Sequence, residues 1–189
     1  MEIDALAPQV VGDRAAGALF ETIEEALRFA FESAERGAGQ GTLARLQKPR
    51  GGPSRFDDKA ERVGTRGLIR RRIETLSTLH QAVLAVRFAP RSFPCSCRSE
   101  CCSGRRRNRE WAEAVGAVVD AAVAPTGVTK RNLLEGVVKR WCGAEKVNLG
   151  ILADRCEVHR HTAGKHAKTI TKWLSATELA ALDRAALCF

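Results

Sequence analysis

Apolar side chains recur along this 189-residue chain at three- and four-residue steps, the period of helices with one buried face. In the first run, Leu19, Phe20, Ile23, Ala26, Leu27, Ala30 and Phe31 share a broad face. Asp13 stands where a helix cap is preferred and Gly37 suits a left-handed stop, so a helix is expected over 13–36, with Glu21, Glu24, Glu25 and Glu32 on its solvated side. Leu68, Ile69, Ile73, Leu76, Leu79, Val83 and Leu84 predict one long helix over about 57–88, ended by Pro90 and Pro94. Trp111, Val115, Val118 and Val119 predict a helix over 109–124, capped by Asn108 and broken by "APTGV" at 124–128.

Three further helices are expected over 129–174. The first starts near Thr129 and buries Leu133, Leu134, Val137, Val138 and Trp141. The second, about 147–157, turns Leu149, Leu152, Ala153 and Cys156 inward, and the third spans about 160–173. The tail "SATELAALDRAALCF" opens with Ser175-x-x-Glu178, a capping box, and predicts a separate helix with Leu179, Leu182 and Leu187 on its apolar face. The fold class is therefore all-α: a helical N-terminal region plus a C-terminal helix-turn-helix bundle. Punctuation along the chain suggests four parts. They are an acidic helix over 1–36, a Gly/Pro-rich basic linker over 37–55, a helical region over 56–128 with a Cys-rich loop at 90–110, and a helix-turn-helix domain over 129–189.

Composition narrows the function. Hydrophobic residues make up 44% and charged residues 28%, as in ordinary globular proteins, and no apolar run approaches a membrane span. The opening "MEIDALAPQVVGDRAAG" lacks the basic and apolar regions of a signal peptide, so seven cysteines point to thiols or metal ligands in a reducing cytoplasm. Net charge is +9 but uneven: residues 1–40 carry three basic and eight acidic side chains, residues 41–189 carry 28 and 14. A basic body with an acidic head implies a polyanionic partner, nucleic acid first. Single-stranded RNA fits poorly, because there is no Tyr and nearly every aromatic sits at a core-facing position.

The spacing over 147–173 matches a helix-turn-helix. Ala153 is the small residue that lets the second helix approach, and Val158 is the apolar plug after the turn. Glu157 occupies a place where glycine is common, Ala163 is smaller than the usual valine, and Gly164 weakens the helix by about 1 kcal/mol relative to Ala. The expected DNA-binding residues are His159, Arg160, His161, Thr162, Lys165, His166, Lys168 and Lys172, together with Arg105, Arg106 and Arg107. A zinc site built from Cys156, His159, His161 and His166 is the rival use of the same segment, disfavoured because His159 and His161 point to different sides of the helix start.

Cys95, Cys97, Cys101 and Cys102 read C-x-C-x3-C-C, not the separated C-x2-C pairs of common zinc knuckles. Four thiolates from eight residues rarely converge on one ion, so three plus a remote ligand make an easier zinc site, and a tight loop with packed thiols is the alternative. No Ser/His/Asp set, phosphate-binding Gly loop or paired carboxylates is present, so no enzymatic activity and no small-molecule substrate are expected.

"PCSCRSECCSGRRRNREWAEAV" followed by "LADRCEVHRHTAGKH" resembles prophage transcription antiterminators of the Q type, the AlpA-like regulators of pseudomonad lysis genes in particular, over roughly residues 80–174. The resemblance implies a protein that binds a DNA element beside a promoter and loads onto paused RNA polymerase. Travelling with the enzyme, it obstructs hairpin formation at the RNA exit channel so that terminators are read through. Arg160, His161, Lys165 and His166 would grip the element. The runner-up is a promoter-binding activator or repressor with no antitermination role. More distant rivals are an adaptor for an acidic protein and a recombinase-like enzyme, the latter without a visible cluster of acidic metal ligands.

Overall fold

The computed structural model describes residues 19–32, 59–95, 97 and 103–187. These residues form seven helices and one two-stranded hairpin around a continuous apolar core. Helix α1 (Ile23–Phe31) begins at Thr22, whose hydroxyl accepts the Glu25 N–H at 3.1 Å. Its expected start at Asp13 and stop at Gly37 lie outside the described residues, as does the linker. Leu27, Ala30 and Phe31 are buried as the period requires, whereas Leu19 is exposed. The carbonyls at the end of α1 are satisfied by arginines of α2 (Lys59–Ile73): Arg66 donates to Phe29 and Arg70 to Ala30, at 3.1 and 3.0 Å. Arg70 also stacks 4.2 Å from the Phe31 ring centroid and forks onto Glu110, so it ties three helices together.

The single long helix expected over 57–88 is two helices. Helix α2 ends at Ile73 and α3 (Thr78–Phe88) restarts behind Ser77, whose hydroxyl accepts the His80 N–H. Gln81 donates to the Glu74 and Leu76 carbonyls, at 3.0 and 2.7 Å, and so satisfies the open end of α2. The apolar period runs unbroken through Leu76 and Leu79, which hides the break from a pattern reading.

The Cys-rich segment is not a plain loop. Strand β1 (Ser92–Pro94) pairs antiparallel with β2 (Arg105–Arg107), and the Cys95 N–H donates to the Gly104 carbonyl at 2.9 Å. Buried Asn108 closes the base: its amide donates to Pro90 at 2.6 Å, while its Oδ1 caps α4 (Arg109–Thr126) through the Glu110 N–H. Helix α4 continues past Pro125 to Thr126, and Gly127, at φ 66°, ends it with its N–H on Val123. Trp111 is buried and donates its indole N–H to the Val86 carbonyl at 3.1 Å, fixing α4 on α3.

Helices α5 (Arg131–Trp141) and α6 (Leu149–Arg155) meet where Gly136 leaves room for Leu152; a Cβ there would lie 2.6 Å from the leucine methyl. Helix α7 (Arg160–Ala186) is 27 residues long and absorbs both the expected 160–173 helix and the expected separate helix after Ser175. The reason is phase. Ala163, Ala167, Ile170, Leu174, Thr177, Ala181 and Ala185 form one buried stripe, and a break at Ser175 would rotate its lower half out of the core. Glu178 does not close a capping box; it pairs with Arg87 of α3 at 2.9 Å, and Arg87 lies 5.6 Å over the Trp141 ring of α5. Thus α7 packs on α3, α4 and α5 as well as on α6, and the core under the helix-turn-helix is continuous with that of the preceding helices.

Candidate nucleic-acid interface

Helices α6 and α7 are joined by residues 156–159. Asn148 starts α6 by accepting the Gly150 and Ile151 N–H groups, at 2.8 and 3.4 Å. After the last turn, Glu157 takes φ 54°, the left-handed conformation that glycine adopts without strain. The chain thereby reverses over a few residues, and the Val158 N–H returns to the Ala153 carbonyl at 3.0 Å. Ala153 and Ala163 are both fully buried at the helix crossing, where larger side chains would hold the helices apart. Cys156 is buried and Val158 half-buried against the same core.

His159 is the N-cap of α7, its Nδ1 accepting the His161 N–H at 3.3 Å. A residue expected only to contact DNA therefore also has a structural task. His161, Lys165, Lys168 and Lys172 are exposed and lie at steps of four, three and four, opposite the buried stripe. At 1.5 Å per residue this row is about 16 Å long, comparable to five base pairs of B-form DNA. Thr162 is exposed on one flank, while His166, on the same flank, is half-buried. Cys156, His159, His161 and His166 do not gather: among the described residues, no three His, Cys, Asp or Glu side chains are placed to hold a metal ion.

Arg160, at the first position of α7, stands off the row and is tied to α6. Its Nη2 and Nε donate to the two carboxylate oxygens of Asp154 on α6, at 2.9 and 3.3 Å. The hydrogen bond and charge of Arg160 hold the Asp154 carboxyl below its usual range, and the same contact raises the guanidinium of Arg160. Pattern reading missed this partner because six residues and a turn separate the two.

The hairpin arginines belong to β2 and are exposed. Arg105 donates from Nε to the Ser92 hydroxyl at 2.7 Å, which spends part of its donor set within the hairpin. Arg91, at the hairpin's base, donates to the Ala144 carbonyl at 2.6 Å and also to that of Gly143, anchoring the hairpin to the turn between α5 and α6. Cys95 is half-buried and Cys97 exposed; Cys101 and Cys102 lie outside the described residues.

An open groove of about 470 Å³ between α5 and α6 is lined in part by Lys139, Asn148, Ile151 and Leu152, and no residue of α7 borders it. Burial opposes the charge of Lys139, but ion pairs to Glu135 and Glu145, at 3.0 and 3.3 Å, raise its pKa above the ordinary value. No helix among the described residues is long and apolar enough to cross a membrane. Compared with known protein families and with curated proteins, the chain matches none.

Proposed function

We propose that the protein is a sequence-specific, double-stranded DNA-binding transcription regulator of the cytoplasm that loads onto RNA polymerase and acts as a Q-like antiterminator. The observation that carries DNA binding is the tight α6–α7 reversal at Glu157, with a 16 Å row of His161, Lys165, Lys168 and Lys172 on the outer side of the second helix. A second helix held by its buried stripe, with cations along its free face, suits a major groove, where phosphates position and base edges specify. The polymerase partner and the antitermination step rest on the sequence resemblance alone.

In this reading three of Cys95, Cys97, Cys101 and Cys102, with a remote ligand, supply a structural zinc site beside the Cys95–Gly104 pairing. One zinc per purified chain is the expected result of metal analysis, and none assigns the thiols to packing. The function itself is tested by transcription with purified RNA polymerase from the promoter adjoining this gene, placed ahead of an intrinsic terminator. More full-length RNA at unchanged initiation supports antitermination. A change in initiation alone identifies a promoter-binding activator or repressor instead.

A further inference from the structure

We infer that Asp154 is a positioning residue for base readout: it holds Arg160 so that the guanidinium presents its unpaired edge to a guanine, making the Asp154–Arg160 pair a specificity determinant. The inference rests on the DNA-binding reading above and adds to it the residue that does the discriminating and the base it selects.

An arginine guanidinium has five N–H donors in a planar fork. In Arg160, the Nε–H and one Nη2–H are taken by the two oxygens of Asp154. Three donors remain, two on Nη1 and one on Nη2, and the outer pair has the spacing that matches O6 and N7 of guanine. The fork also lies close to the start of α6. Gly150 lies beneath it, and a Cβ at that position would sit 3.8 Å from Arg160 Nε and 4.0 Å from Cζ. The guanidinium therefore rests along the first turn of α6, while its backbone opens α7.

The chemistry of the pair separates reading from gripping. A carboxylate at a DNA surface repels phosphate, so Asp154 lowers affinity for any duplex. An unrestrained Arg160 would swing to the nearest phosphate, raising affinity without selecting a base. The Arg160 and Asp154 side chains are 72% and 57% accessible, so the pair contributes little to folding. A merely structural ion pair would leave base preference unchanged when broken.

The test begins with selection of a binding site from a random duplex pool by the full-length wild-type chain. Binding of Asp154→Ala, Asp154→Asn, Arg160→Ala and the double Ala variant is then measured on the selected duplex and on copies with single base pairs exchanged. For Asp154→Ala the preference for one G·C pair should fall about tenfold, within the range expected for a bidentate arginine contact. Its binding to unrelated duplex should rise, and its salt slope should steepen by about one phosphate contact. Asp154→Asn, which keeps one acceptor, should fall between. Arg160→Ala should lose preference at the same base pair, and adding Asp154→Ala to it should cost no further preference, because the two act through one contact. An Asp154→Ala chain that keeps the full preference at every position overturns the inference while leaving DNA binding intact. A wild-type chain that selects no sequence contradicts the DNA-binding reading itself and takes this inference with it.

Discussion

The two halves of α7 share one buried stripe and differ on their outer faces. The inward residues run from small (Ala163, Ala167) to large (Ile170, Leu174) in the first half and stay small from Thr177 to Ala185, and the helix packs on α3, α4, α5 and α6. Outside, the first half carries His161, Lys165, Lys168 and Lys172, whereas the second carries Leu179 and Asp183; Glu178, on the flank of the second half, pairs with Arg87 of α3. The inner face decides where the helix sits, and the outer face decides what each half can meet. A substitution should therefore damage either folding or DNA binding according to the side it occupies.

The largest effect is expected from the shared stripe. Leu174→Ala, at a fully buried position between the halves, should cost about 2–5 kcal/mol in denaturant unfolding and abolish DNA binding together with cooperative folding. A much smaller loss would mean that the lower half of α7 is not needed to hold the upper. Gly164→Ala comes next and has the opposite sign. No atom lies within 4 Å of a Cβ built at Gly164, so the helix should gain about 1 kcal/mol with DNA affinity retained. Loss of affinity in a stabilised Gly164→Ala chain would put this flank of α7 against the duplex.

The smallest effect concerns the turn that aims the first half. Asp154 has its carboxyl pKa lowered by Arg160, so the pair is complete above the ordinary value of 3.8 and is lost only as the pH falls through the lower, folded-state value. A carboxyl titration followed by NMR should place the Asp154 midpoint below 3.8, and Arg160→Ala should return it to the ordinary range. A wild-type midpoint at or above 3.8 would show that the two side chains do not pair in solution.

Much of the fold was legible because burial leaves a period. Leu133, Leu134, Val137 and Val138, and the run from Trp111 to Val119, are buried where the spacing placed them. The cap at Asn108 was also legible, whereas Glu157 read as a departure from the usual glycine and adopts the left-handed conformation nonetheless. The errors came where a local signal competed with packing. Ser77 breaks a run whose apolar phase continues, and the Ser175–Glu178 pattern is overridden by a stripe that stays in phase across it. For the candidate site, the basic row could be read from three- and four-residue steps. The ties of Arg160 to Asp154, of Arg70 to the α1 carbonyls and of Arg91 to the Gly143–Ala144 turn could not, because each depends on chain reversal or tertiary packing that no short-range period encodes.

The most direct test compares the two halves of α7 in one titration. Wild type, Lys165→Ala/Lys168→Ala/Lys172→Ala and Glu178→Gln are measured against a selected duplex over a range of salt concentrations. The triple variant should fold normally, bind far more weakly and lose about three units of salt slope, one for each phosphate contact removed, while Glu178→Gln should bind as wild type does. Equal binding by the triple variant and the wild type would contradict the assignment of the first half of α7 as the DNA-reading helix.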